Sequence, residues 1–410
     1  MQYENLNGDK TFNKSSKVIY VLLFIAGLLV SKDYFFYMGL QDIYFFLFKV
    51  FYILLIILMV FNIFGFLIEK KRYINNPYLW FLLFVLILKL LILFIQNPVD
   101  FTLNDSKFSN AILFLGNIIF MLLIVKNLKE FSSVKTSILS LSLGLSLSVL
   151  LPLLFYPHMI GSRIVIMDDY EFNGGFWNPS VIAYLSVGWL LIVIAGEKSS
   201  KLKKYIYLFL FYLFAFGGLA GLSRAFLLSF ILSGLTYLIV SNQLKKYIKV
   251  ILIAIFSFLA ILFLFPNIIE NFENRLDGGI NLNEEARMTI WKDYIEDIDK
   301  YFLFGDLEGN YTRYSETGQA PHSIILNWIA NFGIFGLFGY LLLLFGIILS
   351  IRRIKKAQLN KVAAGLYAWL VSYISISFIN ETGFKQLTIY AAIGIIIGWG
   401  NRLKENKKVN

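Results

Sequence analysis

The fold follows from residues 322–351, which read HSIILNWIANFGIFGLFGYLLLLFGIILSI. This run contains no Asp, Glu, Lys or Arg, and Arg352 and Arg353 follow it directly. An uncharged apolar run of roughly 18 or more residues is long enough to cross the hydrocarbon core of a bilayer as a helix. We therefore predict a transmembrane helix here, with its basic end at one membrane surface.

Comparable runs recur along the chain, in which 58% of the residues are hydrophobic and 15% are charged. We count about twelve of them. They lie near 17–31, 41–68, 78–95, 109–125, 136–156, 179–195, 204–220, 222–240, 246–265, 322–351, 361–379 and 386–401. The sequence predicts an all-α integral membrane protein, in which residues 1–410 form a single polytopic domain and only 266–321 is left as a large loop.

Charge predicts the orientation of these spans. Lys and Arg cluster in alternate loops, for example at 70–72, 198–204 and 352–356, and loops rich in Lys and Arg stay in the cytoplasm. Both termini are then cytoplasmic, and the loop at 266–321, between spans nine and ten, is extracytoplasmic. The net charge of +11 is thus a topology signal, and we expect no nucleic-acid partner.

Composition excludes cysteine-based chemistry and indicates a bacterial source. The chain has no cysteine, which excludes disulfides, thiolate metal sites and a cysteine nucleophile. Its richness in Ile, Lys, Asn and Phe is typical of an AT-rich bacterial gene. We expect a multi-pass protein of the bacterial cytoplasmic (inner) membrane, with its active face on the extracytoplasmic side.

One of the two histidines, His322, lies where the large loop enters the apolar run. Histidine is the side chain best suited to exchange a proton near neutral pH. Two arginines belong to the same predicted face. Arg224 is in the short connection between spans seven and eight, and Arg287 is near the start of a helix in the large loop. A guanidinium matches phosphate oxygens and stays charged. Solvation or headgroup contact is the alternative role for both arginines.

Further candidates for substrate binding lie on the same predicted side of the membrane. They are Arg163 and Glu171 in the outer loop at 157–178, Tyr311 and Arg313 in the large loop, and Lys89 in span three. Lys89 interrupts an apolar span, so we expect it to face a cavity or to reach an interface. Asp297-Ile298-Asp299 is similar to an acidic metal-binding pattern, but we assign it to the polar face of a helix and predict no metal site.

The large loop also contains a predicted amphipathic helix on the membrane surface. Apolar side chains recur there at helical spacing. They are Met288, Trp291, Ile295, Ile298 and Phe302.

Four short motifs follow one another along the chain: Gly175–Ser180, which contains Asn178-Pro179; Gly221-Leu222-Ser223-Arg224-Ala225; Arg287–Trp291 leading to Phe304-Gly305-Asp306; and Pro321–Leu326 with Gly333 and Gly336. In this order they resemble the motifs of the O-antigen ligase/polymerase superfamily, which includes Wzy-type polymerases and WaaL ligases. Ser323 replaces an Asn that is common in ligases, and Asp306-Leu307 departs from the second glycine of the loop pattern.

The resemblance implies a GT-C-like bundle and a metal-independent, inverting glycosyltransferase without a cofactor. Its substrates would be undecaprenyl-diphosphate-linked oligosaccharides in the outer leaflet. Membrane lipids, a chain-length regulator and the flippase of the same pathway would be partners. His322 would be the general base, and Arg224 and Arg287 would neutralise the diphosphate.

Three functions remain open from the sequence. We favour a polysaccharide polymerase for O-antigen or capsule, because the histidine motif is atypical for a ligase and the Phe/Ile/Lys-rich composition is typical of polysaccharide gene clusters. An O-antigen ligase that transfers glycan to lipid A core is the first alternative. A lipid-linked oligosaccharide flippase is the second, although the chain shows no internal repeat of the kind common in transporters.

Overall fold

The computed structural model describes residues 14–68, 77–96, 106–128, 131–155, 164–167, 170–173, 181–196, 200–220, 223–242, 288–306, 311–357, 360–379 and 386–409. The helices are α1 (Lys14–Leu28), α2 (Lys32–Tyr37), α3 (Gln41–Ile68), α4 (Pro77–Gln96), α5 (Ser106–Asn127), α6 (Phe131–Phe155), α7 (Val181–Ala195), α8 (Lys201–Ala220), α9 (Arg224–Ser241), α10 (288–296), α11 (Ile298–Tyr301), α12 (Ile324–Lys356), α13 (Asn360–Ile379) and α14 (Leu387–Val409). Short 3-10 helices cover Leu29–Ser31 and Tyr311–Tyr314.

A helix occupies every predicted span except 246–265, which lies outside the described residues. Within the described ranges, 5 helices are long and apolar enough to cross a membrane, and the other spans coincide with shorter apolar helices. The architecture is therefore that of a helical membrane protein. The large loop at 266–321 is described only over 288–306 and 311–321.

Two short strands were not predicted. β1 (Ile164–Met167) pairs antiparallel with β2 (Tyr170–Asn173), with Ile164 opposite Asn173. The hairpin lies in the loop at 157–178, and the bundle itself is helical, as the predicted all-α class requires. The run Ile164-Val165-Ile166 is β-branched and favours a strand, but we had interpreted the loop by its charges alone.

The centre of the bundle is α7, which is almost entirely buried. It packs against α6, α8, α9, α13 and α14. Hydrogen bonds connect it to three of these helices: Trp189 Nε1 donates to Ser233 Oγ at 2.9 Å, Trp369 Nε1 donates to Ser186 Oγ at 2.6 Å, and Ser148 Oγ and Tyr184 Oη lie 2.9 Å apart. Polar side chains that pair between apolar helices fix the packing of a bundle in lipid.

Small residues let α1 and α6 approach closely. A Cβ atom on Gly144 would overlap the carbonyl of Phe24, and one on Gly27 would overlap the backbone of Leu141. Such close backbone contact through small residues is typical of helix pairs in membranes.

The predicted cytoplasmic ends of α5, α12 and α14 meet at one end of the bundle. Arg353 Nη1 donates to Asn401 Oδ1 at 3.0 Å, and Gly398 lies against Val125. The large loop packs at the other end, against α4 and α12. The structure therefore places Arg313 and His322, two candidate residues of this loop, at the end of the bundle opposite Arg353.

Candidate functional site

The chain enters α12 through a strained residue. His322 is partly buried and has a φ of 47°, in the left-handed region. A side chain other than glycine is uncommon there, and the conformation persists only where its surroundings enforce it. The next residue, Ser323, is extended and precedes the first turn of α12.

Helix α10 holds the segment before His322 in place. Trp291 Nε1 donates to the carbonyl of Pro321 at 2.5 Å, and the Tyr294 hydroxyl donates to the carbonyl of Gln319 at 3.2 Å. The backbone N–H of Glu316 donates to Asp293 Oδ2 at 3.2 Å. Three residues of one helix thus fix the chain segment that leads to His322.

The described part of the large loop has a small hydrophobic core of its own, separate from that of the bundle. Its buried members are Ile290, Tyr294, Tyr301, Tyr314, Ile329 and Ala330. The rings of Tyr301 and Tyr314 lie 4.6 Å apart, and the Tyr301 hydroxyl donates to the carbonyl of Tyr294. Since Ile329 and Ala330 belong to α12, this core attaches the loop to the helix that follows His322.

A break in α12 receives the loop. Gly333 has φ 68° and ψ −168°, a conformation essentially restricted to glycine. The backbone groups of α12 that the break frees bond to the turn after α11. Ile334 N–H donates to the carbonyl of Phe302 at 2.7 Å, and Asp306 N–H donates to the carbonyl of Ala330 at 2.6 Å. Gly305 has a φ of 73°, and a Cβ atom on it would overlap the backbone of Asn331. We call residues 302–306 the docked turn.

A charged network stabilises the docked turn. Lys89 on α4 is buried, and its ammonium donates to the carbonyls of Phe304 and Asp306. The Asp306 side chain is also buried; its Oδ1 accepts from Arg313 Nη2 at 2.8 Å and from the Tyr314 hydroxyl at 3.0 Å. Buried charges are tolerated when they are paired in this way. Burial raises the pKa of the Tyr314 phenol, which therefore stays a donor.

The structure accounts differently for the five predicted substrate-binding residues. Lys89 and Arg313 belong to the network around Asp306. Glu171 lies in β2 and Tyr311 in a 3-10 helix, and only their backbones are described. Arg163 lies outside the described residues.

The three predicted catalytic residues are described to different extents. His322 is described in full. Arg224 is the first residue of α9, which Ser223 caps by accepting from Phe226 N–H at 3.2 Å, and its side chain is not described. Arg287 lies outside the described residues, directly before Met288, the first described residue of α10. Helix α13 packs against both α9 and α12.

The acidic side chains of Asp297 and Asp299 can be compared with the expectation of a polar helix face. Asp297 forms an ion pair with Lys300 at 2.6 Å, as expected for a polar helix face. In the described part of the chain, no group of three or more His, Cys, Asp or Glu side chains could hold a metal ion.

The sequence did not predict a structural role for Asp306, which was noted only as a departure from a motif. One signal could have identified it. Lys89 within an apolar span requires polar partners, and Asp306 is an acidic residue inside an otherwise apolar and aromatic segment, Tyr301–Asp306. Their separation of 217 residues hid the connection.

Comparison with known families gives a match over this region. A family model described as O-antigen ligase matches residues 208–341. The match includes Arg224, Arg287, the docked turn, His322 and the break in α12. Comparison with curated proteins gave no match. The family match confirms the resemblance of this chain to the O-antigen ligase/polymerase superfamily.

Proposed function

We propose that the protein is a polysaccharide polymerase for O-antigen or capsule. It would transfer undecaprenyl-diphosphate-linked glycan onto a lipid-linked repeat unit at the outer face of the cytoplasmic membrane. The observation that carries this proposal is His322, a residue able to accept a proton, held in a left-handed conformation inside the segment that matches the O-antigen ligase family.

In the proposed reaction, a hydroxyl oxygen of the acceptor sugar attacks the anomeric carbon of the donor. His322 takes the hydroxyl proton as the new carbon–oxygen bond forms. The bond from the anomeric carbon to the phosphate oxygen breaks, and its electron pair leaves with the undecaprenyl diphosphate. Attack opposite the leaving group inverts the anomeric carbon. No metal is needed for these steps.

Arg224 and Arg287 would stabilise the charge that grows on the diphosphate. A donor placed where charge develops is commonly worth about 3 to 4 kcal/mol in the transition state. Two observations are compatible with this role. Arg224 begins a helix, where backbone N–H groups also favour an anion, and Arg287 precedes the helix that binds the segment before His322.

The strain at His322 supports a role in catalysis. A left-handed conformation at a residue other than glycine costs of order 1–3 kcal/mol, and such residues cluster at functional sites. Glycine or asparagine would relieve the strain. The strained conformation thus falls on a residue whose imidazole can exchange a proton.

The decisive variant is His322→Asn, because asparagine tolerates the left-handed conformation but is not a general base. We expect normal membrane insertion and a loss of polymer formation of roughly 10²- to 10⁴-fold, measured as surface glycan on gels after complementation of a deletion strain. His158→Asn, at the other histidine of the chain, is the matched control and should retain full activity. Wild-type polymer from His322→Asn would contradict the mechanism.

An O-antigen ligase is the second candidate, because the matched family carries that description. The deletion strain separates the two. Single repeat units on the lipid A core, or single unpolymerised units, indicate a polymerase, whereas long polymer that accumulates on the carrier lipid indicates a ligase. The absence of any outward-facing unit would indicate a flippase.

A further inference from the structure

Helices α4 and α12 run antiparallel, and their contacts define how far the docked turn extends along them. The rings of Phe81 and Phe338 lie 5.4 Å apart, and eight residues further along α4, Lys89 bonds to the docked turn. Asp306 of the docked turn also bonds to Ala330 on α12. Successive contacts between the two helices therefore lie nearer the C-terminal end of α4 and nearer the N-terminal end of α12.

The docked turn lies well inside the ends of these two spans. Lys89 precedes the end of α4 at Gln96 by seven residues, and Ala330 follows the start of α12 at Ile324 by six. With a rise of 1.5 Å per residue, both helices place the turn about 10 Å from their ends on the loop side. Two independent helices therefore give the same depth.

Several backbone groups of the docked turn are hydrogen-bonded at this depth. Gly305 N–H donates to the carbonyl of Tyr301 at 2.9 Å, and the bonds to Ala330 and Ile334 close the pairing with α12. Lys89 supplies donors for the carbonyls of Phe304 and Asp306. Non-helical backbone is tolerated within a bilayer where it is buried in protein, and Gly305 and Asp306 are buried.

The side chains of the docked turn continue the apolar surface of the bundle. Phe302, Leu303 and Phe304 are 39%, 55% and 41% exposed. The Phe304 ring stacks on that of Phe335 at 6.0 Å, and Phe335 and Phe338 are themselves exposed on α12. Toward the loop side, α4 presents further exposed apolar side chains. These are Leu91, Phe94 and Ile95.

Exposed apolar side chains therefore surround the turn on both sides along the helix axes. We propose that Phe302, Leu303 and Phe304 form a wedge that re-enters the bilayer and contacts its acyl chains. The outward stripe of α10, with Met288 and Ile295 exposed, would lie nearer the membrane surface. The wedge would hold the loop, and with it His322, at a fixed height above the hydrocarbon core.

Acyl chains are the expected occupant because the wedge is continuous with the exposed apolar faces of α4 and α12. The chain lacks cysteine, so single cysteines can report on the wedge directly. The full-length protein with Leu303→Cys would carry an environment-sensitive fluorophore and be placed in nanodiscs of phosphatidylcholine. Phe302→Cys is a second reporter if the first variant does not fold.

Two matched positions calibrate the measurement. Phe338→Cys is exposed on the apolar face of α12, and Glu316→Cys is exposed elsewhere in the same loop. We expect nitroxide-labelled acyl chains to quench the fluorophore at 303 as strongly as at 338, and iodide in water to quench it only at 316. The emission at 303 should be shifted to shorter wavelength than at 316.

Two outcomes would overturn the proposal. Strong quenching by iodide at 303 would place the wedge in water. Emission at short wavelength without quenching by labelled lipid would mean that protein, for example a second copy of the chain, covers it. Neither outcome depends on the glycosyltransferase activity.

Discussion

The glycine at the break in α12 offers the sharpest test of the loop architecture. In Gly333→Ala, the new methyl group would overlap the backbone of Leu303. The conformation at φ 68° and ψ −168° is also strongly disfavoured for alanine, at a cost of order 1–3 kcal/mol. The variant can relieve both problems by releasing the docked turn.

Release of the turn has a calculable cost. It breaks the hydrogen bonds from Ile334 N–H and from Asp306 N–H, each worth about 1 kcal/mol net. These bonds are lost on release in the wild type as well, whereas the strain of alanine is present only in the docked state, so we expect Gly333→Ala to destabilise the docked turn by about 1 to 3 kcal/mol. Because 1.4 kcal/mol corresponds to a factor of ten, hydrogen exchange at these two amides should accelerate by roughly 5- to 100-fold.

The assay is hydrogen exchange with mass spectrometry on peptides that contain Asp306 and Ile334. The control is Gly234→Ala in α9, where a Cβ atom meets nothing within 4 Å and alanine should be neutral or slightly stabilising. Unchanged exchange at both amides in Gly333→Ala would refute the role of this glycine. Faster exchange in the control would show that any added methyl group loosens the bundle.

Two further predictions concern the charged network. Lys89→Met should destabilise the docked turn by about 1.5 to 3 kcal/mol, the range for a charged hydrogen bond. Lys201→Met, at an exposed position at the start of α8, should change the thermal stability by less than about 0.5 kcal/mol. Equal effects of the two variants would contradict the assignment of Lys89 to the network. Burial raises the pKa of the Tyr314 phenol, so the unfolded chain loses this proton at a lower pH than the folded chain. The contribution of Tyr314 to the free energy of unfolding is therefore complete below a pH of about 10 and declines above it. Tyr314→Phe should therefore flatten the decline of the melting temperature above pH ~10; an unchanged slope would contradict this assignment.

The candidate site could be predicted in part. His322 was identified because histidine is rare in this chain and this one lies at a boundary between loop and span. The strain at His322 could not be anticipated, because it depends on the contacts of Trp291 and Tyr294 with the segment before it. Lys89 was expected to need a polar environment, but the sequence did not indicate that its partners would be carbonyls of the large loop.

The amphipathic helix α10 was also predicted only in part. Its apolar spacing predicted a surface that faces the membrane, and Met288 and Ile295 of that stripe are exposed. The opposite side of the helix is also apolar, since Ile290 and Tyr294 pack into the loop core. The pattern alone did not reveal that the helix has two apolar faces with different partners.

The amino-acid sequence by itself determined the membrane class, the position of almost every helix and the resemblance to the O-antigen ligase/polymerase superfamily. These features are local, because a bilayer forces each apolar run to satisfy its backbone within one helix. Only the tertiary structure decided that Lys89 meets Asp306 across 217 residues and that Gly333 opens α12 for the docked turn. Such pairings depend on which helices pack together, and an apolar span can pack against many neighbours with similar energy.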